Sequence, residues 1–158
     1  MPRTLTAAES AEFLARPQVG VLSVADEAGD RPPLTVPVWY AYQPGGELTF
    51  FTGTQGRTAR KTRLLERAGK LSFCVQQGEY PYKYVTVECT ITKADRAPAM
   101  EQVLEVTSRF LPADVANGFA EAETSNPTGT FVLFTARPDR WLSVDFADYD
   151  QHDDQHDD

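Results

Sequence analysis

Between residues 18 and 52 the chain alternates apolar runs with turn formers. QVGVLSVA (18–25), PLTVPVWYAY (33–42) and ELTFFT (47–52) are rich in β-branched and aromatic side chains, and DEAGD (26–30) and QPGGE (43–47) separate them. Short turns between strand-like runs predict an antiparallel meander of three strands. KLSFCVQ (70–76), KYVTVECTITKA (83–94) and TGTFVLFTARP (128–138) carry the same signature, and RWLSVDF (140–146) predicts one more short strand. Pro37, inside the second run, removes a ladder donor. It is expected at an edge, at a bulge, or where a ligand replaces a neighbouring strand.

Helical patterning is confined to three stretches. Thr6 and Glu9 have the spacing of a capping box, and the helix they open ends by Pro17. Residues 58–68 place Leu64, Leu65 and Ala68 on one stripe, with Gly69 as the stop. Residues 98–121 read as helical with a break near Pro112. There is no regular strand–helix alternation and no GxGxxG. The predicted fold is therefore mainly β with helical inserts: an antiparallel barrel of six to seven strands with helices packed on its outside. Residues 1–147 are expected to form a single domain and residues 148–158 a disordered acidic tail.

Composition adds several bounds. At 158 residues, 41% hydrophobic and 24% charged, the chain can bury a core without metals or disulfides. No apolar run approaches the ~20 residues of a membrane helix, and the first residues lack the apolar centre of a secretory signal. A cytoplasmic protein without a membrane partner is expected. Seven aspartates lie in the last 14 residues, and without them the formal charge moves from −8 to −1. The acidic balance thus says little about what the body binds. Cys74 and Cys89 each lie in a strand-like run and are expected as buried free thiols.

Both histidines, His152 and His156, belong to the terminal repeat QHDDQHDD. The body has no imidazole for a triad, a metal site or proton transfer. The repeat carries metal-ligand residue types but is read as a solubilising end, so no metal site is expected. If the protein is an enzyme, a cofactor carries the chemistry, and no side chain is assigned as a catalytic acid or base.

One segment stands out against this background. Residues 57–70 contain Arg57, Arg60, Lys61, Arg63, Arg67 and Lys70, six of the fifteen cations, with one acid, Glu66. They follow the loop Gly53-Thr-Gln-Gly56 and open a helix. Amides at a helix start favour an anion, Arg60 and Lys61 add charge, and Thr58 adds a hydroxyl. Cations at a helix N-terminus oppose its dipole, so a compensating anion is expected, and a phosphate group would serve. A solvated basic face is the plain alternative. Nucleic acid is a weaker one, because the patch is short and nothing beside it looks like a base-stacking motif.

The order of four motifs, TVPVWYAY (35–42), LTFFTG (48–53), RKTRLL (60–65) and YVTVEC (84–89), resembles the pyridoxamine 5′-phosphate oxidase-like split-barrel flavoproteins, from about Thr6 to Phe146. The resemblance implies an FMN-binding type of split barrel and a homodimer with two cofactors, FMN or the deazaflavin F-420, at its interface. The family's aromatic-Thr and Ser-Arg-Lys patterns correspond to Phe51-Thr52 and Ala59-Arg60-Lys61. By that match Arg60 and Lys61 hold the cofactor phosphate, Thr52 and Thr58 add polar contacts, and Val36, Pro37, Val38 and Trp39 lie along the ring system. Tyr80, Tyr82 and Tyr84 could line the substrate side or simply pack their turn. Trp141 reaches the partner's cofactor or sits in the core. Ala59 stands where the family has Ser, Thr35 where true pyridoxamine phosphate oxidases have a basic residue, and the C-terminal part lacks their Arg- and His-containing segment. These departures point away from vitamin B6 oxidation and toward the short reductases. The implied activity is hydride transfer between the bound cofactor and a small organic substrate; a flavin carrier without turnover is the alternative.

Overall fold

The structure, a computed structural model, describes residues 2–147. The expected tail at 148–158 lies outside the described residues. Seven strands form one antiparallel sheet: β1 (Gly20–Val24), β2 (Leu34–Val38), β3 (Tyr40–Ala41), β4 (Leu48–Thr52), β5 (Lys70–Gln77), β6 (Lys83–Asp95) and β7 (Val132–Asp145), in the order β2-β1-β5-β6-β7-β4-β3. The helices are α1 (Ala7–Leu14), α2 (Arg60–Ala68), α3 (Met100–Thr107) and α4 (Ala113–Thr124). The mainly-β reading with helical inserts holds, and the sheet curls into a split barrel.

The split falls within one apolar run. Residues 33–42 were expected as a single strand, yet Leu34–Val38 pairs with β1 and Tyr40–Ala41 pairs with β4. Only Trp39 separates the two edges of the sheet along the chain. Pro37 stands opposite Val21 on the edge strand β2, where a missing donor is tolerated. The meander is therefore a run that changes partners halfway.

A second difference is at the C-terminus. Residues 128–138 and 140–146 were expected as two strands but are one, β7, of 14 residues. Pro138 faces Cys89 while Arg140 faces Glu88, so Asp139 is the extra residue of a bulge. The bulge absorbs both the proline and the irregular register, which lets the strand continue.

Alternation along each strand sends one set of side chains inward. Leu22, Phe50, Phe73, Val85, Val87 and Phe134 are wholly buried in the main core, each contributing about 1.5–3 kcal/mol by burial. α1 closes one end, with the predicted capping box between Thr6 and Glu9 formed. The hydroxyl of Tyr40 donates to the carbonyl of Leu14 at 2.5 Å, and Arg109 donates to the carbonyls of Ala15 and Arg16 at 2.9 Å each. α3 and α4, separated around Pro112 as expected, enclose a smaller core of Val103, Ala120 and Phe131. α3 lies against β3 and β4. Cys89 is buried, but Cys74 is only half-buried, because it faces outward from β5.

Candidate functional site

β4 delivers the chain into the basic segment. After Thr52, Gly53 takes a left-handed conformation (φ 74°, ψ 37°), and a tight turn at Thr54–Gly56 follows. A side chain at Gly53 would put its Cβ 1.8 Å from the carbonyl oxygen of Thr130, so only glycine passes there. α2 starts at Arg60, two residues later than expected, with Ala59 as its N-cap. Alanine offers no capping acceptor, so no side chain caps the first-turn amides.

Beside this turn lies a cavity of about 350 Å³ lined by Val19, Pro37, Val38, Trp39, Phe51, Thr52, Gly53, Thr54 and Lys61. Its volume falls in the range of small-molecule sites. Its lining combines five apolar or aromatic side chains with the hydroxyls of Thr52 and Thr54, a loop glycine and the ammonium group of Lys61. The indole of Trp39 is stacked on Phe110, and the ring of Phe51 packs on Phe119 and Phe131. Both aromatic walls are thus held from behind by the segment running from α3 to β7.

The structure brings together Pro37, Val38, Trp39, Phe51, Thr52 and Lys61 from the expected set. It leaves three others off the cavity wall. Val36 packs against the main core, as its place between the outward-facing Thr35 and Pro37 requires. Thr58 is exposed in the loop. Arg60 donates through Nη2 to Oδ1 of Asp26 at 2.7 Å. Thr52 is buried, and its hydroxyl is 2.6 Å from that of Thr62. That bond uses one of the two hydroxyl protons. The sequence reading missed Val19, Gly53 and Thr54. The last two continue the quoted motif past Thr52; Val19 has no local signal, and only the hairpin register that pairs Gly20 with Val38 brings it near.

The electrostatics also differ from expectation. The anion expected to offset the cations of α2 is supplied in part by the chain itself: Asp26 pairs with Arg60, and Glu27 with Arg63. Burial works to raise the pKa of Asp26. Hydrogen bonds from Arg60 and from the backbone amides of Arg31 and Ala28 outweigh it and hold the carboxyl below its ordinary value. Lys61 forms no ion pair among the described residues, and it is the cation on the cavity wall. Tyr80 and Tyr82 are exposed and pack on each other away from the cavity. Trp141 is not in the core: it is 37% exposed beside Tyr42. Among the described residues no group of metal-ligating side chains is assembled, and no helix is long and apolar enough to cross a membrane.

A curled antiparallel sheet with a cavity at its split and a basic helix start beside it defines a split-barrel protein. The family profile described as Pyridoxamine 5′-phosphate oxidase matches residues 6–145, and the chain belongs to that family. No curated protein sequence matches it. Among solved structures it is similar to an F420 reductase (21% identity, TM-score 0.63, covering 83% of this chain and 94% of that one). It is similar as well to a conserved hypothetical protein from Mycobacterium tuberculosis (22%, 0.69, 89% and 85%). A third is a FAD-binding protein from Mesorhizobium loti (21%, 0.61, 92% and 98%). At these identities the likeness is one of fold.

Proposed function

We propose that the protein is an oxidoreductase that holds FMN or the deazaflavin F-420 in the cavity at the split of the barrel. The observation that carries this is the cavity itself, where Pro37, Val38, Trp39 and Phe51 line the same space as Lys61 and the Thr52-Gly53-Thr54 turn. The residues fit such a group: a flat apolar wall suits a ring system, and an ammonium beside uncapped helix amides suits a phosphate. Gly53 lets the turn pack directly on the Thr130 carbonyl, which fixes this part of the cavity wall.

The bound cofactor would supply hydride transfer to or from a small organic substrate. The chain's own part is to bind and orient. Trp39 and Phe51 exclude water from one side of the ring, and Lys61 neutralises phosphate charge. A Thr52 hydroxyl that accepts from Thr62 keeps its own proton for a ligand acceptor. Among the described residues the cavity wall carries no carboxylate, so nothing on it is assigned to proton transfer. Thr35 is exposed and bonds to Ser23, so the position where pyridoxamine phosphate oxidases carry a cation has none. A vitamin B6 substrate is not proposed.

A homodimer fits the same reading. The strand registers align Pro37, Val21, Cys74, Thr86 and Leu142 in one outward row across five strands. Val21 and Leu142 are 41% and 58% exposed. Val19 and Pro37 line the cavity and lie on this same face, so a second copy seated there would cover the ligand.

Titration of purified protein with FMN and, separately, with F-420, read by absorbance and fluorescence, tests the proposal. Binding of one, followed by its reduction with NAD(P)H or its reoxidation by an organic acceptor, supports the enzyme. Binding without turnover makes the protein a carrier, and failure to bind either removes the reading.

A further inference from the structure

The start of α2 divides its cations between two directions. Arg60 and Arg63, three residues apart, share a helix face and meet consecutive acids, Asp26 and Glu27, of the β1–β2 turn. Lys61 lies about 100° around the helix, on the side of Leu65 one turn later, and so enters the cavity. The Asp26–Arg60 pair is well shielded, with side-chain exposures of 11% and 28%. From the cavity, Arg60 and Asp26 act as a neutral pair, and Lys61 supplies the net charge.

We infer that Asp26 is a specificity-determining residue of this site: by reserving Arg60 it leaves one uncompensated cation on the cavity wall, and so matches the site to a phosphodiester, with one negative charge, rather than to a phosphomonoester with two. The inference rests on the proposed phosphate-bearing cofactor. A phosphomonoester is close to doubly ionised well above its second pKa of ~6, so at pH 8 both of its charges leave water for a wall with Lys61 alone, and the larger desolvation cost of the dianion offsets its larger attraction to that one cation. Removing the charge of Asp26 releases Arg60 to the field of the cavity, and a dianion gains about twice as much in free energy as a monoanion.

The test uses three ligands with the same ring and ribityl chain but different charge: riboflavin, riboflavin 5′-methylphosphate and FMN, titrated at pH 8. The wild-type protein is expected to bind the methylphosphate at least as tightly as FMN, and both more tightly than riboflavin. In Asp26→Asn, FMN should gain roughly five- to ten-fold and the methylphosphate roughly two- to three-fold, with riboflavin unchanged. Loss of FMN affinity in that variant would overturn the inference, since Asp26 would then be propping Arg60 for phosphate contact. An unchanged FMN-to-riboflavin ratio, or wild-type FMN binding more than about ten-fold tighter than the methylphosphate, would overturn it as well. The double variant Asp26→Ala with Arg60→Ala decides the matter if Asp26→Asn does not fold. It should hold FMN within about two-fold of wild type if the pair is silent, and lose more than about ten-fold if Arg60 grips the phosphate. Failure of all three ligands to bind the wild type, with F-420 also unbound, would remove the cofactor reading and this inference together. Binding with unmoved charge ratios would remove this inference alone.

Discussion

The indole of Trp39 lies nearly parallel to the ring of Phe110, with centroids 5.5 Å apart and planes 9° from each other. Trp39 is also the one residue between the two edges of the sheet, and it lines the cavity. Its ring would otherwise be free to rotate at a strand break, so the stack from the turn between α3 and α4 fixes the wall. Phe110→Ala should cost about 2 kcal/mol of stability, part of it from the ring stack and part from lost burial of a half-buried side chain. It should weaken riboflavin and FMN by the same factor, roughly five-fold, because the ring contact and not the phosphate is disturbed. Urea melts and parallel titrations check this; loss of FMN alone would contradict it.

Gly53 is held by space as well as by conformation. Its φ of 74° is shared by other glycines such as Gly56 at 71°, yet an added Cβ at Gly56 meets nothing within 4 Å. Gly53→Ala must move the Thr130 carbonyl or the turn itself, and should destabilise by at least about 2 kcal/mol. Gly56→Ala pays only the left-handed penalty of ~1–2 kcal/mol. Denaturant midpoints for the two variants should therefore separate, and coincidence would mean that the turn moves without cost.

The sequence made the strand positions legible, because a period of two with turn formers between is a local signal. Partner choice was not local. Nothing in PLTVPVWYAY says that Val38 and Tyr40 belong to opposite edges of the sheet, since that depends on the curl of the other strands. Pro138 suggested a strand end, but a bulge at Asp139 makes room for it, and a bulge is visible only in the register. In the site, the ring-side run and Lys61 were legible as motifs. Arg60 was counted with Lys61 because the Ser-Arg-Lys pattern of the family holds both and both stand at the helix start. On a helix they point about 100° apart, and only the fold shows that Asp26, 34 residues earlier, receives one of them.

Lys61→Ala removes the cation on the cavity wall while leaving the ion pairs of Arg60 and Arg63 in place. FMN affinity should fall about ten-fold, near 1.4 kcal/mol, as expected for one charge-assisted contact at a partly exposed site. Riboflavin affinity should not change. Equal losses for both ligands, measured by fluorescence titration, would mean that Lys61 shapes the cavity and does not meet a phosphate.

The two thiols should behave differently. Burial, followed by the nearby charge of Asp139, pushes the Cys89 thiol up to about 12, so at pH 8 almost none of it is thiolate. Cys74 faces outward in the apolar row proposed as the dimer face. An alkylating reagent at pH 8 should modify Cys74 first and leave Cys89 untouched until the protein is denatured. If the row is the dimer face, modification of Cys74 should slow as protein concentration rises through the dimer dissociation constant. Rates independent of concentration across the monomer–dimer transition, by mass spectrometry, would place the interface elsewhere.

Glu9 ties the N-terminal helix to the sheet. Its carboxylate accepts from Arg3 at 3.1 and 2.8 Å and from the amide of Thr6, while Arg3 also pairs through its backbone with Asp145 on β7. The Arg3 hydrogen bonds, then those of Thr6, bring its pKa down to about 2 from an ordinary 4.5. A depressed carboxylate contributes stability that is complete above its unfolded value and is lost as pH falls through its folded value. The difference in melting temperature between wild type and Glu9→Gln should therefore be constant from pH 7 to about 5 and shrink between about 4.5 and 2. Amides of α1 should gain exchange protection over the same window as pH rises. A difference that persists unchanged at pH 2 would mean that the side chain acts by packing and hydrogen-bond shape, not by its charge.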